Sequence, residues 1–251
     1  SSPAVSAASS TSQSEAGTEK AQQAVELPHS DKFVVADGAV VFTDKLGRDL
    51  LSRVIFGTRT SLIMTLCLVA VIFVIGTFLG VIAGYFGGIV DGVIMRIADM
   101  MISFPGLVLA IAIAGMLGPN LVNAVISIAA VSWTKYARLA RSMVLKVKKS
   151  LYIEAAIVNG TKTWKILLVH ILPNMVTQMV VTAAADIGTM MLELASLSFL
   201  GFGATAPTPE WGLLLSNGRT YMMTSWHITL FPGLAIFLTV LCFNLLGDGL
   251  R

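Results

Sequence analysis

The 251-residue chain is 55% hydrophobic and only 12% charged, with a mean hydropathy of +0.82 and a net charge of +3. Soluble domains carry about 25% charge, and so small a positive surplus does not mark a polyanionic partner. A soluble enzyme, a nucleic-acid binder and a disulfide-stapled secreted domain are all disfavoured. Runs 61–90, 100–134 and 228–247 contain no Asp, Glu, Lys, Arg or His over 30, 35 and 20 residues, and about 20 apolar residues cross a bilayer core as a helix. The composition is that of an all-α, polytopic membrane protein.

Residues 1–40 hold five acids, two lysines and no apolar run, too little apolar surface to offset the entropy of ordering, so a disordered polar segment is expected there. Residues 41–60 change character. Leu46, Leu50, Leu51, Val54 and Ile55 share one helical face while Arg48, Asp49 and Arg53 turn away, the pattern of an amphipathic helix lying at the bilayer surface. From residue 61 to 251 a transmembrane domain is expected, with five spans near 61–84, 93–117, 121–143, 174–200 and 228–247. Glycines 84–88 and Gly118-Pro119-Asn120 supply turns between the first three. Asp91 and Asp99, with Arg96, suit charge pairs at the inner end of a helix, and Cys67 and Cys242, inside apolar runs, read as small buried hydrophobes.

Eight of the 17 basic residues fall in 135–165, from Lys135, Arg138 and Arg141 to Lys162 and Lys165, with Glu154 the only acid. The positive-inside rule places this stretch, and with it a loop over 144–173, in the cytoplasm. Counting spans outward makes the C-terminus cytoplasmic and residues 1–60 external, which calls for a further first helix, upstream or absent. Within the loop, 150–159 and 162–171 read as short helices joined at Gly160, and Pro173 opens the next span.

Here the sequence resembles a known family. Glu154-Ala155-Ala156, then Gly160, then His170-Ile171-Leu172-Pro173 resembles the EAA motif of permease subunits of bacterial ABC importers, in the form seen in the dipeptide, oligopeptide and nickel branch. The stretch from Thr43-Asp44 through Leu46-Gly47-Arg48-Asp49, Ser198-Phe199-Leu200-Gly201 with Pro209-Glu210-Trp211-Gly212, Phe231-Pro232-Gly233 and Asn244-Leu245-Leu246-Gly247-Asp248 is similar to that branch as well, although Phe42 stands where it has Gly. The resemblance implies a type I importer transmembrane domain in a bacterial inner membrane. Its implied partners are a second permease subunit in a heterodimer, two cytoplasmic ATPases and an extracytoplasmic substrate-binding protein. It also implies that Glu154, Ala155, Ala156, Gly160 and Pro173 couple transport to those ATPases. No phosphate-cradling G-x-x-x-x-G-K-[ST] occurs. The chain is therefore expected to be non-catalytic and to bind no cofactor, with ATP and Mg on the partners.

The cargo is less legible. Asp186 and Glu193, seven apart, project from one helix face with Met190 between them, and ionisable groups at membrane depth usually line a bundle interior or a water-filled path. They fit either a translocation route favouring a cationic or metal-chelate substrate or hydrogen bonding to a neighbouring helix or to the paired permease. Met190 fits packing better than metal ligation. His29, His170 and His227 lack ligand spacing, so no metal site is expected. The Asp186-Ile187-Gly188 string with Met190-Met191-Leu192, and Thr205-Ala206-Pro207-Thr208, look more like nickel or metallophore permeases than dipeptide ones, leaving a di- or oligopeptide permease as the alternative. A proton-coupled secondary transporter would leave the EAA loop unexplained. An intramembrane enzyme would need a motif such as H-E-x-x-H, which is absent. In the external loop 201–227, Trp211, Tyr221 and Trp226 read as interfacial aromatics.

Overall fold

The computed structural model describes residues 34–36, 39–41 and 49–249. The polar segment expected at 1–40 lies outside these up to residue 33, as does the 42–48 part of the amphipathic helix. Within the expected disordered stretch the backbone forms a short antiparallel ladder, β1 (Val34–Ala36) with β2 (Ala39–Val41), pairing Val34 with Val41 and Ala36 with Ala39. The sequence between the strands is Asp37-Gly38, a dipeptide favoured in two-residue hairpin turns.

Helix α1 runs unbroken over Leu50–Phe86, so the boundary expected at residue 60 does not exist. Asp49 starts the helix, its carboxylate accepting from the amides of Leu51 (3.1 Å) and Ser52 (3.3 Å). Nothing in 58–61 breaks it. At 37 residues it is about 55 Å long, well beyond a bilayer core of about 30 Å.

The second span is bent. Helices α2 (Gly88–Ile102) and α3 (Gly106–Leu117) meet at 92°, where one helix over 93–117 was expected. Pro105 is the cause: it disfavours helical backbone at the residue before it and brings no N–H of its own. Asn120 then caps α4 (Leu121–Lys148) through the Val122 amide, 2.8 Å away.

Lys135, Arg138 and Arg141 all lie on α4, within the span expected at 121–143; the helix runs on to Lys148, into the stretch expected as loop. Arg141 holds Asp91 (Nη2–Oδ2 2.6 Å) and Arg138 pairs with Asp99, so the acids of α2 find their partners on α4 rather than in Arg96. Lys148 donates to the Tyr85 carbonyl at 2.7 Å and lies over the Tyr85 ring.

After α5 (Leu151–Val158), α6 spans Thr163–Phe199 continuously, fusing the second short loop helix with the fourth span. Its turn over Ile166–Ile171 is π-helical. The Pro173 ring would press on the Val169 carbonyl and offers it no hydrogen, and widening the preceding turn relieves both problems. The connection that follows contains α7 (Trp211–Gly218), and α8 covers His227–Gly249.

Among the described residues three helices, α1, α6 and α8, are long and apolar enough to cross a membrane, and the α2–α3 pair makes a fourth span if counted as one. With 28 residues, about 42 Å, α4 is long enough as well, although basic residues stud its second half. Exposed Val74 and Phe78 on α1 and Phe237 on α8 give these helices apolar outer faces. Cys67 and Cys242 are free and exposed rather than buried.

The main core joins α1, α4 and α6 around Leu68, Ile72, Ile128, Tyr136 and Met179. Gly76, Gly80 and Gly84 form a stripe on α1 that lets α4 close in. A Cβ on Gly80 would stand 2.3 Å from the Ala137 carbonyl oxygen, and one on Gly76 2.5 Å from Tyr136 Cβ. Lipid tails are as apolar as leucine, so close backbone approach of this kind is a main source of helix association in membranes.

A second cluster gathers Leu50, Val54, Met191, Trp211 and Ile236. Trp211, expected at an interface, is instead buried: its indole donates to the Val54 carbonyl at 2.8 Å and its amide to Ser61 Oγ at 3.2 Å. Gly57 leaves room for it, since a Cβ there would lie 2.9 Å from the indole. Only Trp226, 64% exposed, keeps the expected outward place.

Glu210, also buried, caps α7 through the amides of Gly212 (2.9 Å) and Leu213 (2.8 Å). Burial pushes its carboxyl above the ordinary range and the two amide hydrogen bonds pull it partly back. Glu210→Ala removes this cap and is expected to cost about 1–2 kcal/mol, read as a lower unfolding temperature of the purified protein. An unchanged temperature would show that the cap contributes nothing.

Candidate functional site: an exposed short helix and a buried charge cluster

Helix α5 is eight residues long and sinks one side chain into the core. Ile153 is fully buried and joins the same core as Ile166 and Ile171. The opposite face is bare. Leu151 and Val158 are 82% and 85% exposed, and Glu154 and Ala155 lie between them, also exposed. Positions i, i+3, i+4 and i+7 fall on one side of a helix, so the four form a single outward stripe, apolar at both ends and acidic at its middle.

A Schellman turn closes the helix. The Thr161 amide donates to the Ala156 carbonyl and the Gly160 amide to the Ile157 carbonyl, each at 3.0 Å, with Gly160 at φ 72°. A residue with a Cβ would be strained at that φ, although no neighbour crowds the position. Asn174 Nδ2 donates to the Tyr152 hydroxyl at 2.6 Å, fixing α5 to the start of the fourth span, and Tyr152 lies beside His170. Pro173 acts upstream of the span by setting the π-helical turn. Ala156 is half-buried on the inner side, where its carbonyl closes the turn.

The second cluster sits between α4 and α6. Asp186, 6% exposed, accepts from Lys135 Nζ at 2.6 Å and 2.9 Å and from the Tyr136 hydroxyl at 2.9 Å. Tyr136 is itself buried and stands edge-on to Phe73. Asp186 therefore has its partners within the chain, on a neighbouring helix. Met190 points into the main core, 6% exposed, and Glu193 is half-buried.

The structure thus separates Met190 from the two acids and adds Lys135 and Tyr136, which the sequence reading passed over. The available signal was Lys135 itself, the first charge after the 35-residue charge-free run 100–134 and inside the expected span 121–143; counting it with the basic stretch 135–165 concealed it. Among the described residues no group of three or more His, Cys, Asp or Glu could hold a metal ion.

Residues 76–251 match the family described as binding-protein-dependent transport system inner membrane component. A glutathione transport system permease protein of Pectobacterium atrosepticum is 49% identical over 208 residues, 83% of this chain and 69% of that protein. A probable D,D-dipeptide transport system permease protein of Escherichia coli is 46% identical, covering 83% of this chain and 70% of the relative. A dipeptide transport system permease protein of Alkalihalophilus pseudofirmus is also 46% identical, with 83% and 69% covered. In fold the chain is similar to an inward-facing structure of the MetNI methionine ABC transporter, with a TM-score of 0.65 at 19% identity over 79% of this chain and 94% of that one.

Proposed function

We propose that this chain, which belongs to the family of inner membrane components of binding-protein-dependent transport systems, moves peptides and takes its driving force through α5. It is an ABC importer permease subunit of the inner membrane, a component that works with ATPase subunits and a binding protein. The finer reading concerns the cargo and the coupling. Relatives 46–49% identical over 83% of the chain are named for glutathione, D,D-dipeptide and dipeptide transport. That observation favours a peptide and displaces the nickel or metal-chelate reading that the Asp186–Leu192 string suggested.

In the proposed mechanism α5 seats its stripe of Leu151, Glu154, Ala155 and Val158 on a cytoplasmic ATPase. Its burial pattern supports this: a helix held by Ile153 with large apolar side chains left bare on the other side has the character of a docking face. Exposed Lys149, Lys162 and Lys165 flank it, in keeping with a cytoplasmic position, and the same count puts the C-terminus on that side. ATP and Mg belong to the partner subunits. A second, non-identical permease completes the path. Closing of the ATPases draws α5 of each permease together, and the rigid link from α5 through Tyr152 and Asn174 to α6 carries that movement into the membrane.

The test of the cargo is uptake by the complete importer in proteoliposomes, with a labelled dipeptide and a labelled nickel chelate offered separately. ATP-dependent dipeptide uptake is expected. Transport of the nickel chelate without the peptide would overturn the peptide reading.

A further inference from the structure

The Lys135–Asp186 pair lies at the middle of α4 and of the Leu172–Phe199 part of α6. Lys135 is 14 residues into α4, and Asp186 is 14 residues beyond Leu172, where the regular α-helical part of α6 begins. At 1.5 Å per residue each is about 20 Å from that start, near mid-depth for a helix that crosses a membrane.

The two partners are unequally placed. The Asp186 side chain is 8% exposed and that of Lys135 60%. Both carboxylate oxygens are engaged, one by Lys135 and the other by Lys135 and the Tyr136 hydroxyl. Asp186 is therefore turned inward and occupied, and a cationic cargo would have to displace these bonds to reach it. The ammonium has three N–H donors. Two point at Asp186, and the third is left on the exposed side.

A cation exposed at mid-depth does not face lipid, where its cost would be several kcal/mol. Its 60% side-chain exposure suits polar space inside an assembled bundle instead. We propose that Lys135 receives the terminal carboxylate of a peptide in the translocation path, with Asp186 and Tyr136 as positioning residues that hold the ammonium in place. This rests on the peptide reading above and names the chemical group that the permease itself selects.

Glu193 lies seven residues from Asp186 on the same face of α6, about 10 Å along the helix, and it is half-buried rather than sealed. An extended di- or tripeptide is roughly 7–11 Å long, so an ammonium end reaching Glu193 suits a cargo whose carboxylate is on Lys135.

The experiment uses the complete importer in proteoliposomes with its binding protein saturated, so that differences arise at the permease. One dipeptide is offered as the free acid and as its C-terminal amide. K135Q/D186N removes both charges and leaves a neutral hydrogen-bonding pair. Its free-acid to amide transport ratio is expected to fall about tenfold below that of the unaltered importer, since a hydrogen bond to a charged group is lost. An unchanged ratio in this variant would overturn the role of Lys135 and leave the ion pair a structural tie.

If the variant does not fold, the unaltered protein still decides the matter. Acetylation of Lys135, read by mass spectrometry, is expected to be slowed by the free-acid peptide and not by the amide. Equal rates with both would overturn the proposal. Failure of the unaltered importer to move either peptide defeats the peptide reading itself, a result distinct from an unchanged ratio.

Discussion

Gly80→Leu is expected to abolish folded protein. The position faces the Ala137 carbonyl oxygen and the Ala140 methyl, and a Cβ would stand 2.3 Å from the first and 2.7 Å from the second. A carbonyl engaged in helix cannot swing aside as a side-chain end could, so α1 and α4 would have to separate along their whole seam. That seam also seats Tyr136 and, through it, Asp186. Even Gly80→Ala should cost about 3 kcal/mol, at the upper end of the range for overpacked cores.

Gly92→Ala is the control. Gly92 is also inside a helix, but nothing lies within 4 Å of the added carbon, and alanine is favoured over glycine in helix by about 1 kcal/mol. Yield and monodispersity in size-exclusion chromatography, with unfolding temperature, read both. Equal behaviour of the Gly80 and Gly92 variants would show that the seam is not as close as described.

The second large effect is expected at α5, and it should leave the fold intact. Glu154→Lys places a cation in the first turn of a helix, which costs only a few tenths of a kcal/mol up to about 1 kcal/mol, and the side chain is exposed. The stripe it interrupts is the proposed ATPase seat, so ATP-driven uptake should fall at least tenfold, with loss of co-purifying ATPase. Gly160→Asp should act similarly by another route. At φ 72° a residue with a Cβ is strained by about 1–2 kcal/mol, which re-aims α5 without a clash. Full uptake by both variants would remove α5 from the coupling path.

The short helix bearing Glu154 and the turn at Gly160 were legible from sequence because the features that define them are local: a helix of eight residues, a Gly at its end and a Pro thirteen residues further on. The spans were legible for a similar reason, since length and apolarity are properties of a single stretch. Pro105 was equally local and was overlooked, hidden inside a charge-free run that composition alone reads as one helix. Trp211 failed for a different reason. An aromatic flanked by prolines suits an interface, and nothing in its neighbourhood indicates that the Val54 carbonyl, 157 residues earlier, will take its indole hydrogen.

By itself the sequence determined that this chain crosses a membrane several times, where most of the helices lie, and which short segment resembles the EAA motif. These follow from apolar run length, turn residues and spacing, all of which act within a few helical turns. Only the tertiary structure decided which charges meet. Lys135 and Asp186 are 51 positions apart, and Arg141 and Asp91 are 50, so their pairing depends on how closely α1, α4 and α6 pack, and that depends on glycines whose importance is invisible until a neighbouring helix lies against them. A basic residue in a sequence is a charge with no address. Packing gave the mid-helix cation Lys135 its partner, inside a chain whose low charge content was its first recognisable feature.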